Sequence, residues 1–149
     1  MTRYLLDTNL LLLQLRQDSR WFTVQNRFNL NRFTNVISVV SLGELRSLAI
    51  RNQWGERRMS DLYSIEQRLL ATDIHAESVI QRYGEIDAYS QGKLLDNPLP
   101  HSARNMSKND LWIAATASTY DLTLLTTDKD FTHLSSVFLN LVTLDMQEL

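Results

Sequence analysis

Asp110 stands in a segment that otherwise has little use for a charge. The run Asn109-Asp110-Leu111-Trp112-Ile113-Ala114-Ala115-Thr116-Ala117 is apolar on nearly every face. Such a run predicts an interior helix opened by Asn109 as its N-cap. A carboxylate withdrawn from water is costly unless it is paired or bound to a cation. Three other acids stand in comparable places. Asp7 ends the apolar stretch Arg3-Tyr4-Leu5-Leu6, Glu44 follows the β-branched run Asn35 to Val40, and Asp128 lies just past Leu122 to Thr126. Each has an ordinary structural explanation: a helix start at Asp7-Thr8-Asn9, a capping box in Ser41-Leu42-Gly43-Glu44, a dipole partner at Asp110, a turn at Asp128. Four carboxylates gathered in one place would repel one another unless a cation neutralised them. Hard oxygen ligands of this kind select Mg2+ or Mn2+ over Zn2+. An ion that keeps open positions can then activate water and stabilise charge on a phosphoryl group.

The elements that must position these acids follow from the hydrophobic pattern. The expected strands are Arg3–Asp7, Asn35–Val40, Ala71–Ile74, Leu122–Thr126 and Leu141–Leu144. Helices are expected over Leu10–Arg16, capped by Thr8 or Asn9, over Ser19–Leu30, from Ser41, through Met59, Leu62, Ile65 and Leu69, over His75–Ser90, and from Asn109. Gln91–Ser107, which holds both prolines, is the longest expected loop. Strands alternating with helices imply parallel crossover units. The predicted fold is α/β: a single-domain three-layer sandwich over residues 1–149, with a central, mostly parallel sheet flanked by helices. Ligands in such folds bind beyond the carboxyl ends of the strands. That rule sends all four acids to one edge of the sheet.

Composition narrows the function classes. With 149 residues, 44% hydrophobic and 21% charged, the chain can bury a substantial core. It has no cysteine, which removes disulfides, thiolate metal sites and cysteine nucleophiles and fits a cytoplasmic protein. The apolar run from Tyr4 to Leu15 is too short and too polar to span a membrane. His75, His101 and His133 are scattered, which offers little to a zinc site or a histidine-pair ribonuclease. A net charge of −2 argues against a coat protein held to nucleic acid by charge alone. Yet between Arg16 and Arg58 there are eight arginines against three acids, and arginine suits bidentate phosphate contacts. In the loop before the key helix, Arg104 and Lys108 border Asp110 and are candidates to hold phosphates, with Arg16, Arg20 and Arg46 behind them. Trp21, Phe22 and Trp54 are candidate anchors for a protein partner, or core residues.

The ordered stretches Leu5-Leu6-Asp7-Thr8-Asn9, Ile37-Ser38 with Glu44-Leu45, Asn109 to Ala115 and Leu125-Thr126-Thr127-Asp128-Lys129-Asp130-Phe131 resemble the motifs of the PIN-domain family. Their nearest flavour is the VapC-like toxins of bacterial toxin–antitoxin pairs. The resemblance covers essentially the whole chain. It implies Asp7, Glu44, Asp110 and Asp128 as metal-binding catalytic acids, with Asn9 and Thr126 supporting them. Asp130 would be a neighbour of that site, although the tandem Asp-x-Asp leaves open which of Asp128 and Asp130 is the fourth ligand, and one or two ions are compatible with the set. The resemblance further implies a Mg2+- or Mn2+-dependent endoribonuclease that leaves 3′-hydroxyl and 5′-phosphate ends, forms homodimers and is inhibited by a cognate antitoxin.

Three other readings compete. A haloacid dehalogenase-type phosphatase wants Asp-x-Asp where this chain has Asp7-Thr8-Asn9. A receiver-like module wants a phosphoacceptor Asp on a middle strand, and between residues 36 and 60 the only acids are Glu44 and Glu56. A catalytically inactive PIN-like module that binds RNA or a partner keeps the same residues without cutting.

Overall fold

Every strand is short, and the central ones are apolar on both faces. The computed structural model describes residues 2–149. Five strands, β1 (Tyr4–Leu6), β2 (Val36–Ser38), β3 (Leu70–Thr72), β4 (Thr123–Thr126) and β5 (Asn140–Thr143), form one all-parallel sheet in the order β3-β2-β1-β4-β5. In β1 and β4, Tyr4 pairs with Thr123, Leu5 with Leu124 and Leu6 with Leu125. Because side chains alternate across a strand, adjacent residues enter different cores. Leu5, Val36 and Leu124 join one buried cluster, and Leu6, Ile37 and Leu125 join the other.

Six helices make the two outer layers: α1 (Thr8–Leu15), α2 (Ser19–Phe28), α3 (Val39–Arg51), α4 (Glu56–Gln67), α5 (Glu77–Ser90) and α6 (Lys108–Thr119). The helices α1 to α4 supply Leu10, Leu11, Trp21, Val24, Leu45 and Leu62 to the Leu6 side, whereas α5 and α6 supply Val79, Ile86, Ile113 and Ala114 to the Leu5 side. Parallel crossovers are right-handed, so connections that step outward on opposite sides of β1 put their helices on opposite faces. The strand order reverses between β1 and β4, and the crevice expected at such a switch point opens beyond their carboxyl ends.

Three element starts differ from the pattern read in the sequence, each because a side chain reaches a backbone N–H. The run Asn35–Val40 is a strand only through Ser38, whose hydroxyl accepts the Val40 N–H at 3.1 Å and turns Val39 and Val40 into the first turn of α3. Capping here outweighs β-propensity, which is a weak prior. Helix α1 is capped by Asp7 rather than by Thr8 or Asn9, and α6 by Ser107 rather than Asn109. The capping box read in Ser41 to Glu44 is likewise not formed, since both residues lie inside α3. Trp21 is a core residue, half-buried Trp54 packs against the same core, and Phe22 is exposed.

Leu124 is fully buried at the centre of the sheet. Leu124→Ala should therefore destabilise the fold by about 2–5 kcal/mol in urea unfolding, with little change in the slope of free energy on denaturant.

Candidate metal centre

Asp7 is the first residue beyond β1, and its backbone N–H donates to the Leu125 carbonyl at 3.0 Å. Its side chain is nearly inaccessible, at 5% exposure. One carboxylate oxygen, Oδ1, accepts the Thr8 N–H at 2.8 Å, and Oδ2 accepts the Thr126 hydroxyl at 2.6 Å. Thr126 Oγ1 in turn accepts the Asp128 N–H at 2.9 Å, so one hydroxyl ties the ends of β1 and β4 together. Thr126 is fully buried behind Asp7 and orients that carboxylate. Asp128 Oδ1 accepts the Asp130 N–H at 2.8 Å and opens a 3-10 segment over Lys129–Leu134.

Glu44 reaches the same region from inside α3. Thr8 Oγ1 lies 2.9 Å from Glu44 Oε1 and 2.9 Å from Ser41 Oγ. A hydroxyl carries one proton and a carboxylate only accepts, so that proton serves Glu44. Asp110 arrives in the first turn of α6, where its N–H donates to Ser107 Oγ at 3.2 Å. A single cleft of about 880 Å³ is lined by all four acids together with Asn9, Arg51 and Trp112.

Burial pushes the Asp7 carboxyl above the usual carboxylate range, and the Glu44 and Asp128 charges push it further, against the opposing Thr126 and Thr8 hydrogen bonds. Asp110 is pushed up to about 6, first by burial and then by the Asp7 charge, with Asp128 and Glu44 adding to it. These are the responses of buried carboxylates brought close together. Asp110, Asp128 and Asp130 each offer a carboxylate oxygen, and the three oxygens lie within 4.8 Å of one another. Asp130 is thus brought beside Asp110 together with Asp128. The donor set is all oxygen and strongly acidic, and it fits a hard divalent cation such as Mg2+ or Mn2+.

Arg104 and Lys108 stand elsewhere. Arg104 lines a separate pocket of about 720 Å³ with His101, Ser102 and His133, and Lys108 is the exposed first residue of α6. His133 is buried, with Nε2 2.8 Å from Ser90 Oγ, and its imidazole is held below its usual range by burial and then by Arg104. Arg20 pairs with Asp18 and Arg46 with Glu66.

A family model described as PIN domain matches residues 4–137 of the chain. The chain belongs to the PIN domain family. PIN domains are in general nucleases, so the acids occupy the crevice of a nuclease fold. Several solved structures share that fold. VapBC2 from Rickettsia felis, bound to a DNA fragment from its promoter, is 24% identical with a TM-score of 0.76, over 97% of this chain and 100% of that one. DNA-bound VapBC from Salmonella typhimurium is 21% identical with a TM-score of 0.73, over 96% and 98%. VapBC-1 from nontypeable Haemophilus influenzae is 23% identical with a TM-score of 0.72, over 95% and 98%. No curated protein matches the chain.

Three contributors to the PIN-domain cleft stand outside the acids and their expected supports, and the sequence pattern gives a signal for only one of them. Thr8 is visible there only as a possible cap, and its hydrogen bond with Glu44 depends on packing α1 against α3. Ser107 is detectable, because Ser107-x-x-Asp110 has capping-box spacing with Asp in place of Glu. Arg51 carries no local signal.

Burial and crowding at Asp110 make stability depend on pH. The folded chain holds the Asp110 proton more tightly than the unfolded chain, whose carboxyl has the ordinary value of 3.8. Ionising it therefore costs stability: the penalty is absent below about pH 4, grows up to about pH 6 and is complete above that. In EDTA at pH 7.5, Asp110→Asn should raise the melting temperature by about 2–4 °C, as ~1 kcal/mol does for a domain of this size. Scanning calorimetry should show that gain shrinking to nothing as the pH falls to about 4.

Proposed function

We propose that this PIN domain is a Mg2+- or Mn2+-dependent endoribonuclease and the toxin of a toxin–antitoxin pair. The observation that carries this reading is the convergence of Asp7, Glu44, Asp110 and Asp128 on one cleft, two of them with raised proton affinity. Asp7, Glu44, Asp110 and Asp128 would hold the ion, with Asp130 beside Asp110 and Asp128 as a further donor. A divalent cation bound there supplies charge neutralisation for a phosphate and an activated water.

The chain's own residues do the positioning. Thr126 fixes the Asp7 carboxylate, Thr8 fixes Glu44, and Ser107 starts α6 so that Asp110 faces the cleft. The reaction is addition of water to a backbone phosphorus with departure of the 3′ oxygen. It leaves a 3′-hydroxyl and a 5′-phosphate and makes no use of the ribose 2′-hydroxyl. Asn9, exposed at the cleft, is placed to hold a water or a phosphate oxygen. Arg104 and Lys108 would contact RNA outside the acidic cleft, along the same edge of the sheet.

Antitoxin binding, homodimer formation and a cytoplasmic site of action complete the proposal. The shared fold with the three VapBC structures supports the first. No helix among the described residues is long and apolar enough to cross a membrane.

Calorimetric titration with Mn2+ tests the metal site. Wild type should bind and Asp110→Asn should bind at least about tenfold more weakly, a loss of roughly 1.4 kcal/mol. No binding by the wild type at millimolar metal would overturn the reading. With RNA as substrate, Asp7→Asn or Asp110→Asn should abolish cleavage, and the wild-type products should carry 5′-phosphate. Metal binding with no cleavage of any RNA would point instead to a non-cutting RNA- or partner-binding module. Replacing Arg104 and Lys108 together by Ala should weaken RNA binding and lower its log–log salt slope by roughly one unit for each phosphate no longer neutralised. An unchanged slope would remove both from the RNA path.

A further inference from the structure

The acidic cleft has one basic wall residue that the proposed chemistry does not use. Arg51 is the sole lysine or arginine among the residues lining it. Gly43, Glu44, Ser47, Leu48 and Arg51 make one stripe down α3 at three- and four-residue spacing, all facing the cleft. Seven residues of helix put Arg51 about 10 Å along α3 from Glu44. Arg20, Arg46 and Arg82 are each engaged by a carboxylate, and Arg51 is in no ion pair among the described residues. A cation in the last turn of a helix does complement its dipole. That role, however, needs only proximity to the helix end, not a side chain that lines a crevice.

We propose that Arg51 is a phosphate anchor of the cleft, holding a backbone phosphate of the RNA displaced along α3 from the phosphate at the acids. This inference rests on the ribonuclease reading and adds the direction in which the strand leaves the site. The acids and their ion take one phosphate, and the next cation along the cleft wall is two helical turns away. The lining also includes apolar side chains from outside α3, Ile74 and Trp112, and the Trp112 ring is held against Tyr83 with centroids 4.2 Å apart. A strand running down α3 therefore meets a cation for a phosphate and, in Trp112, an aromatic ring within the same cleft, a combination that suits unpaired RNA.

The test is binding of a labelled single-stranded oligoribonucleotide, followed by fluorescence anisotropy over a range of KCl concentrations. An Asp110→Asn chain, kept in Mn2+ well above its weakened affinity, serves as parent so that the RNA is not cut. Arg51→Ala in that parent should weaken binding about fivefold at low salt and lower the log–log salt slope by about one unit. Arg51→Lys should restore the slope, because a lysine still neutralises a phosphate as a point charge. In the wild-type background, Arg51→Ala should raise KM by a similar factor and leave kcat within about twofold. If the parent binds RNA and Arg51→Ala leaves both affinity and slope unchanged, the anchor is wrong and the nuclease reading stands. A lysine that fails to restore the slope also overturns it, since the weakening would then come from packing. A parent and wild type that neither bind nor cut RNA would overturn both.

Discussion

The structure turns on a carboxylate placed where a carboxylate is expensive. Asp7 closes β1 at the centre of an all-parallel sheet, almost wholly out of water. It survives there through two short hydrogen bonds, from the Thr8 N–H and the Thr126 hydroxyl. The first also starts α1, and the second binds β1 to β4 across the point where strand order reverses. Thr126 accepts the Asp128 N–H through the same oxygen, so the chain from Asp128 through Thr126 to Asp7 is polarised in one direction. The fold and the cleft are therefore specified by the same contacts. A change that released Asp7 would loosen the start of α1 and the strand junction together.

The remaining acids are held by elements with different loyalties, which is why they can be crowded. Glu44 belongs to the layer on the Leu6 side of the sheet, Asp110 to the layer on the Leu5 side, and Asp128 to the turn between them. Each layer has its own apolar core and folds for its own reasons. The repulsion among the carboxylates falls on a small number of contacts at the rim, while burial of Leu5, Leu6, Leu124 and Leu125 fixes the layers in place. Marginal net stability still makes the repulsion felt. Burial, with that repulsion added to it, raises the proton affinity of Asp7 and Asp110, and those are the groups a divalent cation would relieve.

What the sequence disclosed followed the reach of each signal. Period and composition located the five strands and the alternation of layers to within a residue or two, most plainly at β1, β2 and β4, where burial on both faces leaves a continuous apolar run. Placing the acids at strand ends required only the rule that ligands gather beyond the carboxyl edge of a parallel sheet. The errors were concentrated at helix starts. Val39 and Val40 look like strand and are drawn into α3 by Ser38, and Asn109 looks like a cap although Ser107 reaches the backbone first. Those outcomes depend on which of several adjacent polar side chains wins a single N–H, which propensity does not decide. Thr8 and Arg51 were illegible for another reason. Their significance lies in contacts between α1 and α3, or in the shape of a cleft, and neither leaves a local trace in the chain.

Charge illustrates the same limit. The arginine-rich stretch from Arg16 to Arg58 reads as a basic surface, but folding redistributes it. Arg20 turns to Asp18, Arg46 to Glu66 and the Tyr63 ring, and Arg58 to Trp54. What reaches the crevice is one arginine on α3, while Arg104, from outside that stretch, lines the pocket beside His133. A chain with a net charge of −2 can still attract a polyanion if its cations flank the acids and its acids are neutralised by an ion. Local arrangement, more than net charge, then decides what such a cleft admits: an anionic strand when the acids hold a cation, and little of that kind when they do not.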